Sequence, residues 1–267
     1  MAKAIEFRRA LESVYRRYNR REFVHPDPLE FLYRYPAAQD REIAGLVASS
    51  LAYGNVKQIL KAAGAALDVL GPSPRRYLET AGEKKINADF RAFKYRFTQG
   101  CQLAALLLSA REIIKEYGGL GECASQAGRA PAQTAPQAQR FLAGELRRLA
   151  PAPVSTLIPA AEGASALKRM NLYFRWMCRR DAVDPGGWKL SPAALVVPLD
   201  THMGKIAREL RLTKRADAGM KTALEITAGF AAVSPEDPVK YDFCLTRFGI
   251  RDELDLPELR KCFARAA

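Results

Sequence analysis

The chain has 267 residues, 48% of them hydrophobic, which suffices for a large packed core and excludes a disordered chain. Lysine and arginine number 42 against 29 acids, giving a net charge of +13 and a pI near 9.7, the balance of a protein that meets polyanions. No apolar run approaches ~18 uncharged residues, and the opening Met1-Ala2-Lys3-Ala4-Ile5-Glu6-Phe7 carries charges throughout, so the sequence predicts no membrane span and no signal peptide, and points to the cytoplasm.

Apolar residues recur at three- and four-residue steps through 5–20, where Leu11, Val14 and Tyr18 mark an amphipathic helix. Pro26 and Pro28 interrupt the chain, and a short helix is expected over 28–35. Asp40 offers an N-cap for a longer helix carrying Ile43, Leu46, Val47 and Leu51. Gly54-Asn55 separates that helix from one spanning 56–70, which stops at Gly71-Pro72. Further helices are predicted over 74–81, 87–96 and 101–117. Residues 121–139, rich in Ala, Gln, Gly and Pro, read as a surface insertion or linker. Helical spacing resumes over 137–149, 164–180, 200–211, 217–231 and 235–247. Leu195-Val196-Val197 is β-prone, but Pro192 and Pro198 leave it no room to form a full strand. The expectation is an all-α protein of roughly ten helices forming one domain over 1–267, which excludes Rossmann and barrel enzymes.

The stretch richest in chemistry runs from Ser165-Ala166-Leu167-Lys168-Arg169-Met170 to Val197-Pro198-Leu199-Asp200-Thr201-His202. Asp200 precedes Met203, Ile206, Ala207 and Leu210 at helical spacing, so it starts a helix and its carboxylate sits at the positive end of the dipole. On its own this position is also what any helix cap provides. The five cysteines (Cys101, Cys123, Cys178, Cys244, Cys262) are scattered, and only His25 and His202 supply imidazoles. That argues against a disulfide framework, a zinc or iron–sulfur site, or a histidine-rich metal site.

The segment Val197-Pro198-Leu199-Asp200-Thr201-His202-Met203-Gly204-Lys205 resembles the V-D-T-H signature of the helix-hairpin-helix DNA glycosylase superfamily. Upstream, Glu42–Leu51 followed by Ala52-Tyr53-Gly54-Asn55 is similar to that superfamily's first core helix and the turn at its DNA-facing cleft. The resemblance implies a two-lobed, all-α fold with a cleft between the lobes and Asp200 as the catalytic carboxylate. The superfamily's glycine hairpin is absent. Two lysines lie within the stretch 163–200 that leads to Asp200: Lys168, 32 positions upstream at the start of a helix, and Lys189 in the Pro185-Gly186-Gly187-Trp188 loop. The longer spacing to Lys168, together with Pro238-Val239-Lys240-Tyr241-Asp242, resembles the archaeal 8-oxoguanine DNA glycosylase branch. That likeness implies Lys168 as the nucleophile and Asp242 as a reader of the extruded base.

These residue types suit the chemistry. Cleaving a glycosidic bond builds positive charge on the sugar, which a fixed carboxylate stabilises, and a neutral lysine amine can displace the base at C1′. Burial beside Arg169 would favour the neutral amine. Neither step calls for a metal or a nucleotide cofactor. Tyr53, Asn55, Trp176 and Asp242 are the expected base-pocket residues, with Trp188 a further aromatic candidate, and Lys57, His202 and Lys205 are expected DNA contacts. The implied protein is a monomeric, nucleoid-associated repair enzyme acting on double-stranded DNA with an oxidised purine. The alternatives are a helix-hairpin-helix DNA-binding protein without chemistry and a basic helical scaffold.

Overall fold

A computed structural model describes residues 2–127, 135–160 and 165–264. Among them are thirteen α-helices: α1 (Ala2–Tyr18), α2 (Ala38–Ser50), α3 (Val56–Leu70), α4 (Pro74–Thr80), α5 (Glu83–Asp89), α6 (Gly100–Tyr117), α7 (Leu120–Gln126), α8 (Ala135–Arg148), α9 (Lys168–Cys178), α10 (Thr201–Glu209), α11 (Met220–Ala231), α12 (Asp242–Ile250) and α13 (Leu256–Ala264). The described strands are β1 (Lys94–Tyr95) and β2 (Thr98–Gln99), an antiparallel pair. The class is all-α. No described helix is long and apolar enough to cross a membrane.

Helix α2 is the hub. Every residue from Glu42 to Ser50 is buried, because α9, α3, α4 and the 3-10 helix Pro28–Arg34 pack around it. Gly45 permits the closest approach, since a Cβ there would lie 3.0 Å from the Tyr173 ring of α9. Helices α6, α7 and α8 pack together, and α8 also meets α9. At the other end, α10 packs on α12, and α1 packs on α12 and α13. These contacts join one apolar cluster running from Leu11 to Leu259.

Most expected helices form close to their sequence ranges, and the exceptions have local causes. Asp40 lies inside the first turn of α2 and does not cap it; its carboxylate accepts from the Ser73 hydroxyl and the Arg75 amide at the start of α4. The helix expected over 87–96 is replaced by the end of α5 and the β1–β2 hairpin, where Tyr95 and Thr98 face inward. The helix expected over 235–247 starts only at Asp242. Pro235 and Pro238 fall in the preceding turns, and Pro lacks the amide that a helix interior needs. Helix α13 had no expectation behind it. In the Ala-, Gln- and Pro-rich stretch 121–139, residues 128–134 lie outside the described residues, while the flanks belong to α7 and α8, with Cys123, Ala124 and Ala138 buried. Of the residues preceding Lys168, 161–164 also lie outside the description.

Candidate active site

A cleft of about 510 Å³ opens where chain region 26–59 meets α9, α10 and α12. Lys168 is the first residue of α9 and enters the cleft from a constrained turn. Leu167, just before it, has φ +50, a left-handed conformation unusual for a branched residue, and is buried. Three contacts hold that turn: the Leu167 amide donates to Ser165 Oγ (3.3 Å), the Asn171 side chain donates to the Ala166 carbonyl (2.8 Å), and Ser165 pairs with Gly219 ahead of α11. Lys168, Leu172 and Arg175 then line the cleft together, as positions i, i+4 and i+7 of one helix face must.

Asp200 divides its carboxylate between two tasks. Oδ1 accepts the Met203 amide at 2.8 Å and caps α10, while Oδ2 lies 4.0 Å from the Lys168 amine. The two side chains are 22% and 35% exposed, so both reach the cleft and neither is sealed off. At 4.0 Å they attract without a direct hydrogen bond, and the Lys168 amine has no hydrogen-bond partner among the described residues. The Arg169 guanidinium donates to the carbonyls of Ser50 (2.8 Å) and Thr156 (2.7 Å) and lies over the Tyr53 ring.

Asp242, the first residue of α12, forms part of the cleft wall with a buried carboxylate. Its Oδ2 accepts from Arg175 Nη1, whereas the buried Oδ1 has no hydrogen-bond partner among the described residues. Burial pushes its pKa up to about 6. The Arg175 charge opposes that shift, and the negative charges of Asp200 and Asp184 add to it. Burial works against the Arg175 charge as well, but Asp184 and Asp242 outweigh it and raise the Arg175 pKa. The ion pairs continue away from the cleft: Asp184 also holds Arg179, which binds Asp237 (2.9 Å) and Asp181 (2.7 Å). Further along α12, the buried Arg247 donates from region 168–250 across to Asp27 at 2.9 Å. Sequence reasoning missed Arg175, Arg247 and Asp27. Arg175 could have been found from its seven-residue step after Lys168; nothing local relates Arg247 to Asp27.

The structure brings Lys168, Asp200, Asn55, Asp242 and His202 to one cleft. Asn55 caps α3, its side-chain oxygen accepting from the Lys57 amide at 3.0 Å, which leaves its NH2 for a ligand. His202 lies against Gly249, where a Cβ would collide with its ring. Lys57, in the first turn of α3, and Lys205, in the second turn of α10, are exposed and lie outside the cleft wall. The expected aromatic lining is not there, and this corrects the sequence reading. Trp176 points from α9 into the core with no exposed surface. Tyr53 lies beside the cleft, its hydroxyl bonded to the Tyr95 carbonyl (3.0 Å) and Thr98 (2.8 Å). Trp188 donates to the buried Glu42 at 3.1 Å and stacks edge-on to Tyr173 and Phe174. Tyr53 and Trp176 were expected to line the base pocket, with Trp188 a further candidate; each instead completes the packing around α2 and α9. Lys189 does not line the cleft.

The cleft therefore combines an amine, a carboxylate beside it, a buried carboxyl in its wall, and apolar walls from Ala52, Ile59 and Leu172. That is the equipment for nucleophilic attack on an electrophilic carbon next to a developing cation. A family model described as "Protein of unknown function (DUF2400)" matches residues 27–251, a span that contains every cleft residue named here apart from Pro26. No curated protein and no solved structure matches the chain.

Proposed function

The chain belongs to the DUF2400 family, and we propose that it is a DNA glycosylase with lyase activity that removes an oxidised purine such as 8-oxoguanine from double-stranded DNA. The observation that carries this reading is the convergence of Lys168 and Asp200, 32 positions apart in sequence, at 4.0 Å in one cleft. In the proposed reaction the Lys168 nitrogen attacks C1′ of an extruded nucleotide. The C1′–base bond breaks, and the base leaves with the bonding electrons and takes up a proton. Asp200 stabilises the positive charge on the sugar as that bond lengthens. Opening of the sugar gives a Schiff base, and loss of a C2′ proton then expels the 3′ phosphate. Asn55, whose capping bond uses only its side-chain oxygen, has an NH2 to donate to the base edge, and Asp242, buried in the cleft wall, is assigned as the second reader of the base.

Two further features support the proposal. The basic excess of the chain suits a phosphate backbone, with exposed Lys57 and Lys205 flanking the cleft. The cleft walls come from two regions, 26–59 and 168–250, as a two-lobed glycosylase would require.

Borohydride trapping on duplexes carrying different damaged bases tests the reading. A covalent adduct is expected on the oxidised-purine duplex and is lost in Lys168→Ala. Binding that ignores the lesion, with neither adduct nor free base, would instead identify a DNA-binding protein without chemistry.

A further inference from the structure

Helix α1 presents three arginines on one exposed face. Arg9, Ser13, Arg16 and Arg17 stand at steps of four, seven and eight residues from the first, the spacing of a single helical face, and all four are exposed. At ~1.5 Å per residue the arginines span about 12 Å of helix. Arg17 rests over the Tyr18 ring at 5.2 Å, but none of the three forms an ion pair with the described residues. Arg20, just past the helix, has only the exposed Glu22 at 3.9 Å.

Exposed lysines on other helices are paired within their own helix, as Lys85 is with Asp89, Lys115 with Glu112 and Lys261 with Glu258. On α1 the corresponding acid is diverted. Glu12 lies four residues before Arg16, the favourable order for a helical pair, yet its carboxylate accepts from the Lys240 amine at 2.7 Å and the Tyr241 hydroxyl at 2.6 Å. The helix dipole favours Arg16 and Arg17 in the last turn but does nothing for Arg9 in mid-helix.

The opposite face of α1 is fully used. Leu11, Val14 and Tyr18 are buried, and Tyr15 and Tyr18 pack edge-on against Tyr241 and Phe248 at α12. Asp242, Thr246 and Gly249, at steps of four and seven along α12, line the cleft instead. Helix α12 therefore stands between the cleft and α1, and the arginines face outward beyond it. They also precede the span 27–251 that the family model matches.

We propose that this face of α1 is a second, lesion-independent contact for the phosphate backbone of duplex DNA, so that the protein can hold one duplex segment at the cleft while a second lies on α1, and pass between them. Only the first segment rests on the reading of the cleft as a DNA site. An unpaired guanidinium meets a phosphate with forked donors and releases condensed counterions as it does so. Three such contacts hold a duplex weakly, which suits a transient grip during transfer. A lipid surface fits less well, because the apolar residues that would enter it are already buried where α1 packs on α12 and α13.

The test uses the full chain carrying Arg9→Gln, Arg16→Gln and Arg17→Gln together, with the three corresponding Arg→Lys changes as a charge-preserving control. Dissociation from a fluorescent, undamaged duplex is followed by stopped flow while unlabelled duplex is added. For the wild type and the lysine variant the rate is expected to rise in proportion to the unlabelled duplex. That rise should fall at least about 10-fold in the glutamine variant, and on the order of 10- to 100-fold in the wild type between about 50 and 200 mM salt, as three phosphate contacts predict. Single-turnover base release from a lesion duplex should stay within about 2-fold in the glutamine variant. A wild-type rate that ignores added duplex would overturn the proposal, as would a rise that the glutamine variant retains or that the lysine variant also loses. Faster transfer to an RNA duplex of the same sequence, or binding to phosphatidylglycerol vesicles that alone depends on the arginines, would assign the face to another partner and overturn it too. If the wild type releases no base yet shows arginine-dependent transfer, the glycosylase reading fails and the second contact stands.

Discussion

Asp200 lets two contributions be separated by substitution. Asparagine caps a helix about as well as aspartate, whereas alanine does not, at a cost of about 1 kcal/mol. Asp200→Asn should therefore keep the unfolding midpoint of the parent and lose adduct formation, while Asp200→Ala should lose both the adduct and about 1 kcal/mol in urea unfolding. Equal stability of the two variants would mean that the Oδ1–Met203 bond does not hold α10. Asp242 makes a pH-dependent prediction. With its pKa pushed up to about 6 in the fold, it holds a proton that the unfolded chain, at an ordinary carboxylate value of about 4, has already released. Between these values the folded state binds more protons, so this group's contribution to stability is greatest at the acid end and declines as pH rises to about 6. Asp242→Asn removes that decline. The melting-temperature difference between parent and variant, followed from pH 4 to pH 7, should drift steadily against the parent.

Helices carried most of what could be read in the sequence, because apolar periodicity and caps are local. Asp200 caps α10 where it was expected to, and α3 begins at the break read at Gly54-Asn55, with Asn55 as its cap. The misread segments were those where a local pattern met a longer-range constraint. The run 87–96 looks helical, but Tyr95 and Thr98 are drawn into a hairpin by Tyr53, more than 40 positions away. Aromatic residues were equally deceptive: Trp176 falls on the core face of α9, not on the face shared by Lys168, Leu172 and Arg175. Arg211, at the end of α10, shows that not every element is optimised. It sits at φ +59 while the Leu212 amide reaches back to the Ala207 carbonyl at 2.9 Å, a helix-ending turn that favours glycine. Arg211→Gly should raise stability by about 1 kcal/mol, measured by urea unfolding, because it relieves the left-handed strain. A loss of stability would show that the Arg211 side chain makes a net contribution.

Across the molecule, buried charges tie together helices that the sequence cannot relate. Arg175 joins α9 to Asp184 in the following loop and to Asp242 on α12; Arg179 extends the ties to Asp181 and Asp237; and Tyr15 brings α1 onto Asp181 at 2.9 Å. At the centre, Arg175, Arg179, Asp184 and Asp242 are buried, each with an opposite charge beside it. Arg175→Met should destabilise the fold by about 3–5 kcal/mol in chemical unfolding, since Asp184 keeps one partner and Asp242 none. Adding Asp242→Asn to that variant should recover part of the loss, and strict additivity of the two changes would argue against coupling. Helices α1 and α13 lie outside residues 27–251 but pack on α12, so the region beyond the family match helps to hold one wall of the cleft.

The double duty of Asp200 bears on how relatives of this chain can be sorted. A carboxylate that starts a helix and, in the proposed reaction, also steadies the sugar would be retained by folding even after its chemistry is gone, so its presence in a related sequence is poor testimony to activity. The lysine opposite has no such second employment: its amine makes no hydrogen bond to the described residues and its side chain is a third exposed. Drift should erase it first, and a relative that keeps the aspartate but has lost the lysine is the one to test for DNA binding without turnover.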